Sequence, residues 1–260
     1  MKRFIQALAL AVTVMCNGAH ADTAQVVKFG TEPNYFPFEY KTPEGKLAGF
    51  DYDIGTALCT AAKVQCSWVE VPFDGLIPAL EARKFDIINS DFSATEARAR
   101  VIGFSDMLYD VTRRLVARKG SNLQPTVASL AGKTIGVVQG TIEEVYVRKN
   151  WVPGGVNIAT YQTADLAYAD LAAGRVDATF QNVMAAKKGF LSKPQGAGFD
   201  YSGSPIIDKE TLGVGVALGF RKNDNELRER FNAALAKIKA DGTLDSLVEK
   251  YFPPGFISLK

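Results

Sequence analysis

Along most of the chain, short apolar runs rich in Val, Ile and Phe alternate with longer stretches in which Leu, Ile and Ala recur three and four residues apart. The first rhythm fits buried strands and the second amphipathic helices. The pattern predicts strands over 25–30, 67–71, 85–89, 114–118, 133–138, 156–161, 176–181 and 212–220. It predicts helices over 51–62, 73–84, 142–150, 163–173, 183–191, 225–240 and 244–251, with a short one at 127–130. A Pro-Glu-Gly turn within 41–49 marks a hairpin. Strands alternating with helices of this length predict the α/β class, with mainly parallel sheets covered by helices.

Two such blocks are present. Residues 22–110 together with 212–260 predict one lobe, and residues 111–211 a second. No Pro- or Ser-rich linker separates them, and the two crossings, near 110–113 and 206–211, read as extended strands of a double hinge. Lobes joined in this way close over a ligand.

Composition changes this picture little. The chain has 260 residues, 47% of them hydrophobic and 22% charged, which is ordinary for a globular protein. The net charge is +2 with both signs interspersed, so no nucleic-acid footprint is present. The N-terminus stands apart. Lys2 and Arg3 precede an apolar run, 4–15, that is too short to span a bilayer, and Ala19-His20-Ala21 is an A-x-A site. Residues 1–21 therefore predict a secretory signal peptide cleaved after Ala21. Lipidation of Cys16 is disfavoured by Met15, which stands where a small residue is expected. Cleavage removes His20, the one histidine, and with it any histidine triad or histidine metal site. It also removes two of the 30 Lys+Arg, which leaves the mature chain formally neutral against 28 Asp+Glu. In an exported protein the remaining pair, Cys59 and Cys66, reads as a disulfide, and so short a loop contributes about 2–3 kcal/mol.

Candidate chemistry gathers at strand ends. In 86–98 an apolar strand empties into Asn89, Ser90, Asp91 and Ser93, with Arg98 one turn later. Hydroxyls beside a guanidinium suit a small carboxylate, although Arg98 taken alone could equally be a solvated helix arginine. Gln139-Gly140-Thr141 is a strand–glycine–helix junction that either offers N–H groups to an anion or is simply a tight turn, and it lacks a nucleotide-loop signature. Tyr35 and Phe73 follow strands, where open α/β sheets bind ligands. Their rings could sandwich a flat or cationic side chain or pack as rim. Glu32 and Asp91 could neutralise a cation or be plain loop acids. No nucleophile–base pair is evident, so binding ranks above catalysis.

The stretches GTEPNYFPFEY (30–40), GFDYDIGTALC (49–59), FDGLIPAL (73–80), DIINSDFSATEAR (86–98), GFSDMLY (103–109), GKTIGVVQGT (132–141), DLAAGRVDA (170–178) and DGTLDSLVEKYF (241–252) together resemble the periplasmic solute-binding proteins of polar amino-acid ABC transporters. The similarity is greatest to the lysine/arginine/ornithine- and histidine-binding branch. The resemblance implies a type II periplasmic-binding-protein fold, a monomeric receptor without cofactor or metal, and an inner-membrane ABC permease as partner. It places Arg98, Ser93 and Ser90 on the ligand α-carboxylate, with Thr141 and Ile142 meeting it from the second lobe. Tyr35 and Phe73 would sandwich the side chain, and Glu32 would face the distal cation. A Cys59–Cys66 disulfide also matches that branch. Three positions depart from the family: Asn182 for the aspartate that meets the α-ammonium, Asp91 for a serine, and Ile142 for a threonine. These departures leave open an N-substituted, opine-type arginine derivative in place of a plain cationic amino acid. An enzyme resembling cyclohexadienyl dehydratases, with Asp91 or Glu32 as general acid, is the more distant alternative.

Overall fold

The structure, a computed structural model, describes residues 25–259. The expected signal peptide, its cleavage site and Cys16 lie outside the described residues. β1 (Val26–Thr31) leads into a small antiparallel sheet of β2 (Asn34–Tyr35), β3 (Glu39–Lys41) and β4 (Leu47–Ala48), the last two forming the hairpin expected around the Pro-Glu-Gly turn. There follow α1 (Phe50–Ala62), β5 (Gln65–Glu70), α2 (Leu76–Glu81), β6 (Ile87–Ile88), α3 (Glu96–Ala99) and β7 (Ile102–Val111). The second block comprises β8 (Arg113–Arg118), α4 (Val127–Leu130), β9 (Thr134–Val138), α5 (Ile142–Asn150), β10 (Asn157–Tyr161), α6 (Ala164–Ala172), β11 (Ala178–Asn182), α7 (Val183–Ala186) and β12 (Phe199–Ile206). α8 (Lys209–Leu212) then brings the chain back to β13 (Val216–Arg221), α9 (Asn225–Ala240), α10 (Thr243–Tyr251) and β14 (Ile257–Ser258).

The strands form two larger sheets, ordered β14-β7-β13-β6-β1-β5 and β10-β9-β11-β8-β12. The βαβ portions are parallel, β1 with β5 and β6 and β9 with β10 and β11. β13 runs antiparallel to β6 and β7, and β8 antiparallel to β11 and β12. The sheets are therefore mixed, where the alternation suggested mainly parallel ones. The reversed strands adjoin the two crossings between the blocks, β8 after Thr112 alone and β13 after α8. β7 and β12 were not expected, because their polar and glycine residues break any apolar run.

Local details also differ from the periodicity. Thr112 alone separates β7 from β8. The second crossing is partly helical, because Asp208 caps α8 by accepting from Thr211 N. The strand expected from Leu212 consequently starts at Val216. The helix expected over 73–84 opens as a 3-10 turn, Phe73–Gly75, and stops at Glu81. The one expected over 183–191 continues past α7 as a π-helical turn, Lys187–Leu191.

Each lobe has its own core. Phe29, Ile54, Leu58, Leu218 and Phe231 are fully buried in the first, and Leu115, Ile135, Val137 and Phe180 in the second. Burial of each such side chain stabilises by about 1.5–3 kcal/mol. The Cys59–Cys66 disulfide joins α1 to β5 across a Cα separation of 6.1 Å. The C-terminal ends of β1, β6, β9 and β11 bring Glu32, Asp91, Val138 and Asn182 to the boundary between the sheets, the ligand position of open α/β folds.

Candidate ligand-binding site

A cavity of about 480 Å³, counting the space open to solvent at its mouth, lies at this boundary. The first lobe contributes Glu32, Tyr35, Phe73, Asp91, Ser93 and Arg98 to its wall. The second contributes Val138, Thr141, Ile142, Glu143, Ala164 and Gln181, together with Arg113 at the start of β8. All the residues expected at the site therefore reach the wall except Ser90 and Asn182.

Arg98 stands on α3, whose cap Thr95 accepts from Arg98 N at 3.2 Å. Its guanidinium lies 4.0 Å from the Phe92 ring centroid and 5.6 Å from that of Phe73, within cation–π range. Nη1 donates to Ser93 O at 2.9 Å, and Nη2 crosses the cleft to Gly140 O at 3.1 Å. Loss of water lowers its pKa to about 10, so it remains a cation at neutral pH. The N-terminus of α5 faces it across the cleft. Thr141 caps this helix by accepting from Glu144 N, and Glu144 Oε2 accepts from Gly140 N at 2.7 Å, a variant of the capping box. The first-turn N–H groups of Ile142 and Glu143 have no intrahelical acceptor, and the helix dipole favours an anion there.

Glu32 also lines the wall. It is 6% exposed and accepts from Asn34 Nδ2 at 2.6 Å, and burial pushes its carboxyl up to about 6. The charged or titratable side chains near Arg98 are Glu143, Arg113 and Asp91, and Asp165 at the start of α6 is near Glu32. Acid and cation line the same cavity, with Tyr35 and Phe73 also on the wall.

Asp91 sits in the left-handed region, φ +40°, which aspartate tolerates better than most residues. Its Oδ2 accepts from Asn182 Nδ2 at 3.0 Å, a bond between the lobes. Burial pushes its carboxyl up to about 6, against the pull of the Arg113 guanidinium. Arg113 is 4% exposed. It donates through Nη2 to Ser93 Oγ at 2.9 Å, through Nε to Glu143 Oε1 at 3.2 Å and through Nη1 to Val111 O. Its Nη2 also lies 4.0 Å from Asp91 Oδ2. Sequence reasoning treated Arg113 as hinge and missed it. Strand alternation carries the signal, since Arg113 shares a face with buried Leu115.

Ser90 and Asn182 stand behind the cavity wall and are bonded to protein groups. Ser90 is 1% exposed, and its hydroxyl is used up behind the wall, donating to Glu39 Oε1 at 2.7 Å and accepting from Glu32 N at 3.0 Å. Asn182 Oδ1 accepts from Met184 N and Ala185 N and so caps α7. With its amide donating to Asp91, no part of Asn182 is left to receive an ammonium. Glu143, Gln181, Val138 and Ala164 join the wall without any motif announcing them.

Two α/β lobes enclosing a cavity whose wall carries a guanidinium, a helix N-terminus, aromatic rings and a buried acid define a two-lobe solute receptor. The chain belongs to the bacterial extracellular solute-binding proteins, family 3, which it matches over residues 27–254. It is 46% identical over 253 residues to the histidine-binding periplasmic protein of Salmonella typhimurium, covering 97% of each chain. To the lysine/arginine/ornithine-binding periplasmic protein of Escherichia coli it is 44% identical, again over 97% of each. Its fold superposes with a TM-score of 0.81 on a Salmonella typhimurium periplasmic binding protein of high arginine specificity, 30% identical, covering 88% of this chain and 100% of that one.

Proposed function

We propose that this protein is an exported receptor that binds a cationic amino acid between its lobes and hands it to an inner-membrane ABC permease. One observation carries the reading: the same cavity wall carries an anion-binding region, Arg98 with the α5 N-terminus, and the buried acid Glu32. A molecule with a carboxylate at one end and a cation at the other matches both. Tyr35 and Phe73 would flank its side chain. Asp91 takes the α-ammonium, because Asn182 has no free acceptor. Arg113 is shared among Asp91, Glu143 and Asp110, so its single charge does not satisfy every carboxylate around it. Export is supported by the A-x-A segment and by the periplasmic location named for the relatives. An arginine derivative substituted on its α-nitrogen is the second reading, favoured by the same commitment of Asn182.

A thermal-shift screen of the mature protein against basic, acidic and neutral amino acids and an N-substituted arginine tests this. Basic ligands should raise the melting temperature, since a ligand at 100 times its Kd stabilises by about 2.7 kcal/mol. The ligand should be recovered unchanged, as a receptor and not an enzyme requires. Shifts with acidic or neutral compounds alone would overturn the reading.

A further inference from the structure

Asp91 is the outermost of three buried carboxyl groups. Asp51, in the first turn of α1, and Glu39, on β3, are 0% and 1% exposed and stand behind the cavity wall. Asp51 Oδ2 accepts from Asp91 N at 2.5 Å, which holds Asp91 in its left-handed conformation. Tyr109 OH donates to Asp51 Oδ1 at 2.7 Å and lies 3.3 Å from Asp91 Oδ1. The Tyr109 ring packs against Phe38 and Phe50, at centroid distances of 6.0 and 5.0 Å, so its hydroxyl is fixed. Glu39 Oε1 accepts from Ser90 Oγ, and its Oε2 has no hydrogen-bond partner. The other ionisable groups facing Asp91 are Arg113 from β8, Glu143 from α5, Tyr35 from β2 and Arg98 from α3. One guanidinium at 4.0 Å does not offset three ionised carboxylates in a dry interior, so the cluster retains protons.

We propose that Asp51 is a positioning residue for ligand capture: it holds Asp91 at the cavity wall and, with Glu39 and Tyr109, sets the protons the cluster carries, so that a cation binding at Asp91 drives a proton out. This rests on the cationic-ligand reading above. The direction follows from burial, which pushes Asp91 up to about 6, Asp51 up to about 7 and Glu39 well above its ordinary range. An ammonium beside Asp91 stabilises the carboxylate and lowers that value in the complex. Below about pH 6 the free protein holds the proton, and affinity falls by up to about tenfold per pH unit; above about pH 7 it levels off. Close to pH 6, binding releases about half a proton from Asp91. Glu32, also raised to about 6, releases a proton of its own to the distal cation, so the test uses residues that touch Asp91 and not Glu32.

The experiment is calorimetric titration with L-arginine from pH 5 to 8 in buffers of different ionisation heat, with the fold of each variant checked by circular dichroism. Asp51→Asn removes the carboxyl that titrates at about 7, so affinity should level off at lower pH and the proton release close to pH 7 should be lost. Tyr109→Phe removes a hydroxyl that donates to the cluster and should move the midpoint of the affinity–pH curve to higher pH. If one variant does not fold, the other decides. Affinity changed by one factor at every pH, with the midpoint fixed, would mean a merely structural role and overturn the proposal. Wild-type affinity flat from pH 5 to 8 with no proton release would overturn it while leaving the cationic reading intact. No arginine binding at any pH would overturn both.

Discussion

Arg113 sits where the chain first passes between the lobes, yet its guanidinium turns into the cavity and meets Ser93 and Asp91 on one side and Glu143 on the other. Removing one partner of a buried charge network leaves the others uncompensated, which costs about 3–5 kcal/mol. Arg113→Met should therefore lower unfolding stability by about 3 kcal/mol in denaturant melts at neutral pH; a loss below about 0.5 kcal/mol would show that Asp91 and Glu143 are not held by this arginine. At this scale the sequence was partly legible. Glu32, Tyr35, Asp91, Ser93 and Arg98 could be picked out because they follow strands that end at the cleft. Ser90 and Asn182 satisfy the same rule, but a sequence does not show which polar atoms are already spent, here on Glu39 and on the cap of α7.

The loop before α5 is where an element, and not a side chain, makes the site. Gly140 has φ +78°, and a Cβ placed there would lie 2.8 Å from Asp74 Cα across the cleft. Left-handed backbone costs a non-glycine residue about 1–2 kcal/mol, and the Asp74 backbone adds a clash in the closed arrangement. Gly140→Ala should weaken L-arginine binding about tenfold or more in calorimetry; unchanged affinity would mean the lobes do not need this approach. The glycine junction was readable from Gln139-Gly140-Thr141, whose residue types suit a tight turn and a cap. β7 and β12 were not, because tertiary pairing and not an apolar run makes them strands. The helical turn α8 was hidden for a similar reason, since an Asp208 cap says little without the chain that surrounds it.

For the whole molecule, the alternation of strands and helices established two α/β lobes but not the direction of the strands flanking the hinge. It also could not show that the lobes touch through protein groups alone, as Arg98 to Gly140 O, Asn182 to Asp91 and Arg113 to Ser93 do. Those bonds surround the cavity, so a ligand held there bridges surfaces that already meet. The central claim is that Arg98 and the α5 N-terminus receive a carboxylate inside this closed cleft. Calorimetric titration of the wild type and of Arg98→Ala with L-arginine tests it most directly. A charge-assisted contact of about 1.5–3 kcal/mol predicts one site in the wild type and an affinity lower by about 10- to 100-fold in the variant. Arg98→Ala binding L-arginine as tightly as the wild type would contradict the account.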